Sequence, residues 1–97
     1  MTKILPQTKG LLTRSDCNIK IGVIGGILRT VKCTNRSNST LIMKIYLDDR
    51  LISDTSVMVG VIEQHSMYTR LSSTRRVDVR LYDMVGNDLV DSETLFI

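Results

Sequence analysis

The stretch Leu41-Ile-Met-Lys-Ile-Tyr-Leu47 decides the fold class of this chain. Large apolar side chains occupy every second position in it, with Lys44 and Tyr46 between them. Because successive side chains of a β-strand point to opposite faces, this period of two predicts a strand with one face in an apolar core. Asp48 and Asp49 follow the stretch and predict a tight turn, since aspartate is a favoured turn residue.

The same alternation recurs on both sides of this strand. The alternating or apolar segments lie at 19–23, 27–33, 51–52, 57–61, 67–71, 77–81 and 89–97. About seven short strands separated by turn residues are typical of a sandwich, and no segment keeps a helical period. We therefore predict an all-β fold, an antiparallel β-sandwich that occupies residues 18–97 as a single domain. Residues 1–17 hold the only proline and little periodicity, so we expect an extended N-terminal arm there.

Gly25-Gly26 admits two interpretations. Glycine adopts positive φ without steric cost, so the pair fits a tight hairpin turn, but it also fits a bulge within one long strand. We favour the bulge. If the pair is instead a hairpin, Cys17 lies one step from the position opposite Cys33, and a one-residue irregularity would allow a disulfide. We favour the interpretation that both cysteines are small, partly buried thiols in a reducing cell, but the sequence does not decide whether they form a disulfide.

The charge of the chain is unevenly distributed. Residues 1–36 carry seven basic residues and one acidic residue, whereas residues 37–97 carry six basic and nine acidic residues. A basic segment can contact an acidic surface, and the basic residues that we expect to contact partners are Lys3, Lys9, Arg14, Arg70, Arg75 and Arg76. Arg70, Arg75, Arg76 and Arg80 fit a stripe across one sheet face that binds phosphate or an acidic partner. They fit equally well cross-strand pairing with Asp78 and Glu63, or protection of a sheet edge against aggregation. Three tyrosines, one phenylalanine and no tryptophan argue against a nucleic-acid partner, because single-strand binders stack bases on aromatic rings.

No constellation of catalytic or metal-binding residues is apparent. His65 is the only histidine, and Ser66 beside it would point to the opposite face of a strand. We therefore expect His65 to be an exposed residue in a turn or at a strand start. Cys17 and Cys33 lack zinc-ligand spacing, and the aspartates near 48–54 and 83–93 fit turns better than a calcium loop. The expectation is a protein without enzymatic activity or cofactor, made in the cytoplasm, with neither a targeting signal nor a membrane span.

Residues 22–82 resemble small immunoglobulin-like modules of tailed-phage virion proteins. The resemblance rests on Leu28-Arg-Thr-Val-Lys-Cys-Thr-Asn35, on the turn Arg36-Ser-Asn-Ser-Thr40, and on the strand 41–47 with its Tyr46-Leu-Asp-Asp49 hairpin. Ser72-Ser-Thr-Arg-Arg76 departs from the acidic-glycine turn of such modules, so the likeness weakens after Val61. The resemblance implies one bulged strand over 22–34 and a non-enzymatic virion component that docks on a capsid, head–tail or tail assembly. It also implies other structural proteins or further copies of the chain as partners. The alternative is a stand-alone module that recognises a protein or glycan through loops 35–40, 48–54 and 83–88.

Overall fold

The computed structural model describes residues 17–97, which form seven β-strands. They are β1 (Cys17–Ile24), β2 (Ile27–Asn35), β3 (Leu41–Leu47), β4 (Arg50–Val57), β5 (Ile62–Arg70), β6 (Arg76–Asp83) and β7 (Leu89–Phe96). One sheet has the order β1-β2-β5 and the other the order β4-β3-β6-β7, and all pairings are antiparallel. The predicted all-β sandwich is confirmed. Cys17, assigned above to the arm, is the first residue of β1, and the rest of the expected arm lies outside the described residues.

The apolar core lies between the central strands β2, β3 and β6. Leu41, Met43 and Ile45 of β3 are fully buried, as the alternation predicts, and Ile45 pairs with the buried Val79 of β6. The other fully buried apolar side chains are Leu28, Val31, Cys33, Val57, Val77 and Leu81. Dispersion and hydrophobic burial are therefore concentrated in the middle of each sheet. Within residues 17–97 there is no helix long and apolar enough to cross a membrane.

The position of β4 separates this sandwich from the constant-type immunoglobulin arrangement. In that arrangement the fourth strand lies beside the fifth, in the sheet of the first two strands. Here β4 pairs with β3 through a short hairpin, in the opposite sheet from β5. Two aspartates at positive φ, Asp48 (47°) and Asp49 (71°), form the turn between β3 and β4. The immunoglobulin-like label thus stays a prediction.

Gly25-Gly26 is a two-residue hairpin turn, so the preference for one bulged strand over 22–34 is wrong. Both glycines have positive φ, 59° and 72°, and they connect the paired residues Ile24 and Ile27. Two consecutive residues of positive φ make the turn whose twist matches that of the flanking strands. A bulge does occur, but it lies within the hairpin, on β2. Gly22 pairs with Thr30 and the next residue of β1, Val23, pairs with Leu28, so Arg29 is the extra residue.

Two of the four edge strands, β5 and β7, carry polar side chains on their inner faces. Glu63 and His65 of β5 pair with the buried Cys33 and Val31, so they point toward the space between the sheets. On β7, Asp91 and Glu93 also point toward this space, because they pair with the buried Leu81 and Val79 of β6. Inward-pointing charges on edge strands hinder pairing with another chain, because docking a strand there would bury them. We therefore expect contacts with partners at the faces and ends of the sandwich.

Candidate functional site

The buried side chain of Asn35 joins the loops at one end of the sandwich. Its Nδ2 donates to the carbonyl oxygens of Ser39 and Val57, both at 2.9 Å, and its Oδ1 accepts from Ser37 N (3.0 Å) and Ser37 Oγ (2.6 Å). The backbone of Asn35 also bonds to the β4–β5 loop, through Val61 O (3.1 Å) and Gly60 N (2.9 Å). With no exposed surface, this amide satisfies its hydrogen bonds within the protein. The β2–β3 and β4–β5 loops are thereby held in one fixed arrangement.

The β6–β7 turn is attached to the same end. Ser39 Oγ donates to Asp83 Oδ1 at 2.8 Å, and Met84 N donates to Thr40 O at 3.1 Å. Asn87 adopts positive φ (57°) within this turn, as expected for an asparagine after glycine. Loops 35–40 and 83–88 are therefore neighbours, whereas the Asp48-Asp49 turn lies at the opposite end of β3. The three loops of the binding-module hypothesis do not meet at one site.

The loops at this end expose an unusual number of apolar side chains. We call the following set the apolar loop end: Met58, Val59, Val61, Ile62, Met84, Val85 and Leu89. Their side chains are between 37% and 90% exposed. Exposed apolar side chains that stand singly are ordinary, but a concentration of them in the loops of one end marks an interaction surface. Met58 and Met84 add adaptability, because the unbranched thioether side chain fits surfaces of varied shape.

Sequence reasoning missed the apolar loop end because it assigned residues 57–61 to a strand. Val57, Val59 and Val61 alternate, but only Val57 is buried, and β4 ends there. Gly60 adopts positive φ (77°), and the hydrogen bonds to Asn35 turn the chain toward β5. Alternation records only the spacing of apolar residues, and the glycine between Val59 and Val61 was the available signal that the strand ends.

The predicted interaction residues Arg70, Arg75 and Arg76 do not form a stripe on one sheet. Arg70 lies on β5 in the three-stranded sheet, whereas Arg76 begins β6 in the other sheet and Arg75 precedes it. Lys3, Lys9 and Arg14 lie outside the described residues. Arg76 donates from Nε to Asp78 Oδ2 at 2.8 Å and forms an ion pair with Asp49. Its charge is therefore largely neutralised within the chain.

A network of charged and aromatic side chains covers the outer face of the four-stranded sheet. Asp78 is nearly buried beneath it and accepts a second hydrogen bond from Thr94 Oγ1 at 2.6 Å. Arg80 lies over the ring of Tyr46 (4.2 Å from Cζ to the ring centre), and Lys44 Nζ lies 5.1 Å from the ring centre of Tyr82. Arg76 and Arg80 contact Asp78 within the single strand β6, so cross-strand pairing with Asp78 is wrong, and Glu63 belongs to the other sheet. Because these cations contact carboxylates and rings of the chain itself, this face offers little unsatisfied charge.

Cys17 and Cys33 are buried, and no disulfide joins them. The bulge at Arg29 sets the register so that Cys17 pairs with Asn35 and Cys33 pairs with Ile19. The cysteines are thus diagonal neighbours on one face, and such neighbours lie farther apart than the Cβ separation of about 3.5 to 4.5 Å that a disulfide bond needs. Burial raises the pKa of the Cys33 thiol to about 12, with smaller contributions from Cys17, Asp91 and Glu63. A thiol that stays protonated at neutral pH is a poor nucleophile.

The buried Cys33 thiol predicts a loss of stability at alkaline pH. Its folded pKa, about 12, lies above the ordinary value of 9.0, so the folded state holds the proton more tightly than the unfolded state. The stabilisation is complete below pH 9 and declines as pH rises toward 12, by about 2 kcal/mol at about pH 10.5. Urea unfolding at several pH values should show this decline in the natural chain. Cys33→Ala should lack this decline, and parallel curves of stability against pH for the two proteins would contradict the assignment.

His65 occupies the middle of β5, half-buried, so the expectation of an exposed turn or strand-start residue is wrong. Its Nε2 lies 3.3 Å from Ser53 Oγ of β4, across the open side between the two sheets. A catalytic serine–histidine pair needs an acid hydrogen-bonded to the other ring nitrogen, and no carboxylate of residues 17–97 makes that bond with His65. In the same part of the chain, no three histidine, cysteine, aspartate or glutamate side chains converge as a metal site.

Comparison with known proteins identifies no relative. No family model, no curated protein and no solved structure matches the chain. The function must therefore be argued from the surfaces of the protein itself.

Proposed function

We propose that this chain is a non-enzymatic structural protein that docks on neighbouring subunits of a larger assembly through the apolar loop end. The observation that carries the proposal is the exposure of seven large apolar side chains at one end of the sandwich, in two loops and at the strand starts that adjoin them. Asn35 holds the β4–β5 loop, and hydrogen bonds to Asp83 and from Met84 hold the β6–β7 turn. A preformed apolar surface binds with little loss of conformational entropy, because the loops need no further ordering on docking. The resemblance to tailed-phage modules makes a capsid, head–tail or tail assembly the expected host, and the virion the expected location.

Other copies of the chain are the partners that can be tested directly. A small domain buries a modest fraction of its surface, so contacts within an assembly would add stability that the isolated chain lacks. The polar inner faces of β5 and β7 disfavour growth by strand addition at these two edges, and the apolar loop end is the contact that we propose. A two-fold contact that joins the apolar loop ends of two copies would bury it, whereas an isolated monomer would leave it in water.

Light scattering over a concentration series tests this proposal. The natural chain is expected to show masses that are multiples of the 10.9-kDa monomer and that rise with concentration. The triple change Met58→Ser, Val59→Ser and Val85→Ser should return it to a monomer, because each residue is exposed and its loss leaves the core intact. The matched control, Ile24→Ser with Phe96→Ser, removes exposed apolar groups from the opposite end and should assemble normally. A monomer at every concentration would contradict self-assembly and favour the stand-alone binding module.

A further inference from the structure

The outer face of the three-stranded sheet is positively charged throughout. Strand pairing places four cations there: Lys20 of β1, Arg29 and Lys32 of β2, and Arg70 of β5. None of the nine carboxylates of residues 17–97 shares this face, because Glu63, the only acidic residue of the three strands, points inward opposite the buried Cys33. None of the four cations forms an ion pair with a carboxylate of the described residues. This cationic face therefore differs from the neutralised face of the other sheet.

Two lysines at the centre of the cationic face lower the stability of the fold. Lys20 and Lys32 are direct cross-strand partners, and like charges at opposed positions destabilise a sheet. Apart from isoleucines at its two ends, the remaining side chains of the face are neutral hydrogen-bond donors: Asn18, Thr30, Thr34, Gln64, Ser66 and Tyr68. The guanidinium carbon of Arg29 lies 5.5 Å from the ring centre of the exposed Tyr68, which extends the positive surface toward β5. Such a set is suited to oxyanions, because every polar group on it except the carbonyls can donate.

We propose that the cationic face binds the phosphate backbone of a nucleic acid without reading its sequence. Lysine, arginine, serine, threonine, asparagine, glutamine and tyrosine side chains are the groups that contact phosphates in protein–DNA complexes. Ile24 lies four residues after Lys20 on β1 and is level with Arg70, because Ile24 pairs with Ile27 of β2 and Ile27 pairs with Arg70 of β5. The cations therefore extend over about 13 Å along the strands, which is the length of about four nucleotides of one DNA strand. The scarcity of aromatic residues argues against base stacking, which backbone contact does not need.

The distribution of polarity across the face favours a nucleic acid over an acidic protein. A protein interface has an apolar centre from which charged residues are depleted, and a polar rim. Here the order is inverted: the lysine pair occupies the centre, and the apolar Ile24, Ile27 and Ile62 lie at the two ends. Interfaces with nucleic acid are more polar and more positive than those between proteins. The face adjoins the apolar loop end at Ile62, which belongs to both surfaces, while Lys20, Lys32 and Arg70 lie outside that end.

Fluorescence anisotropy with a labelled duplex of about 20 base pairs, over about 50 to 200 mM salt, tests the proposal. The natural chain should bind with an affinity that falls steeply as salt rises. In Lys20→Gln with Lys32→Gln, two phosphate contacts are lost, so the slope of log affinity against log salt should shrink by about 1.8. At about 0.1 M salt the affinity should then fall on the order of 50-fold. The melting temperature of this variant should be unchanged or raised, because the opposed lysines are gone, so weaker binding could not be ascribed to unfolding.

The control variant, Arg36→Gln with Arg50→Gln, removes the same charge from exposed positions outside the cationic face. It should keep the salt slope of the natural chain. An unchanged slope in the lysine variant, or equal losses in both variants, would overturn the proposal. So would equal affinity for a polyglutamate peptide of similar charge, an outcome that would assign the face to an acidic protein.

Discussion

Replacing Asn35 with alanine is expected to lower the free energy of unfolding by about 3 to 4 kcal/mol. The change removes two donated and two accepted hydrogen bonds at once. It leaves the buried Val57 carbonyl and the Ser37 amide without the side-chain partner that Asn35 supplies, while the Ser39 carbonyl keeps the hydrogen bond from Ser37 Oγ at 2.9 Å. Each unsatisfied buried polar group costs about 1 to 3 kcal/mol, so the sum is large for a domain of this size. Urea unfolding followed by circular dichroism measures the loss.

Asn38→Ala is the matched control for this prediction. Asn38 lies in the same loop but is exposed, so its replacement should change stability by less than about 0.5 kcal/mol. Asn35→Asp provides a second test, since it keeps the shape and the acceptor but loses both donors and introduces a charge into a buried position. A loss below about 1 kcal/mol in Asn35→Ala would show that water replaces the amide.

Ile45→Ala is expected to cost about 3 to 4 kcal/mol and to lower the melting temperature by at least about 12 °C. Ile45 is fully buried on the central strand β3, where it pairs with Val79 of β6 on one side and Ser53 of β4 on the other. Truncation removes apolar contacts and leaves a cavity that a sheet with fixed register cannot close. Thermal unfolding followed by circular dichroism checks the value.

Ile24→Ala makes the same chemical change at a position that is 70% exposed. Its effect should stay within about 0.5 kcal/mol, because few contacts are lost. Similar losses in the two variants would mean that the core is not centred on β3. A small loss in both would indicate that the core repacks around the cavity.

The alternation of residues was sufficient to predict the fold class and most strands. Residues 41–47 have the pattern of a strand with one buried face, and Leu41, Met43 and Ile45 are indeed fully buried. The turns at Asp48-Asp49 and Gly86-Asn87 follow from residue types that tolerate positive φ. Such features are local, because they depend on the conformational preferences of a few consecutive residues.

Features that depend on pairing were predicted poorly. Gly25-Gly26 was assigned to a bulge, and the real bulge at Arg29 could not be foreseen, because register is set by contacts between strands. That same register separates Cys17 from Cys33. The alternation of Val57, Val59 and Val61 predicts a strand over 57–61, although residues 58–61 lie in the β4–β5 loop, where the backbone of Asn35 bonds to Gly60 and Val61.

The sequence by itself determined that this protein is an all-β sandwich with an apolar core, and that its first third is basic. Only the tertiary structure decided which charges are neutralised and which are not. Arg76 and Arg80 lie beside Asp78 and Asp49, whereas Lys20 and Lys32 face each other without a carboxylate. The physical reason is that alternation fixes on which side of a strand a residue lies, while its neighbours come from distant strands brought together by folding.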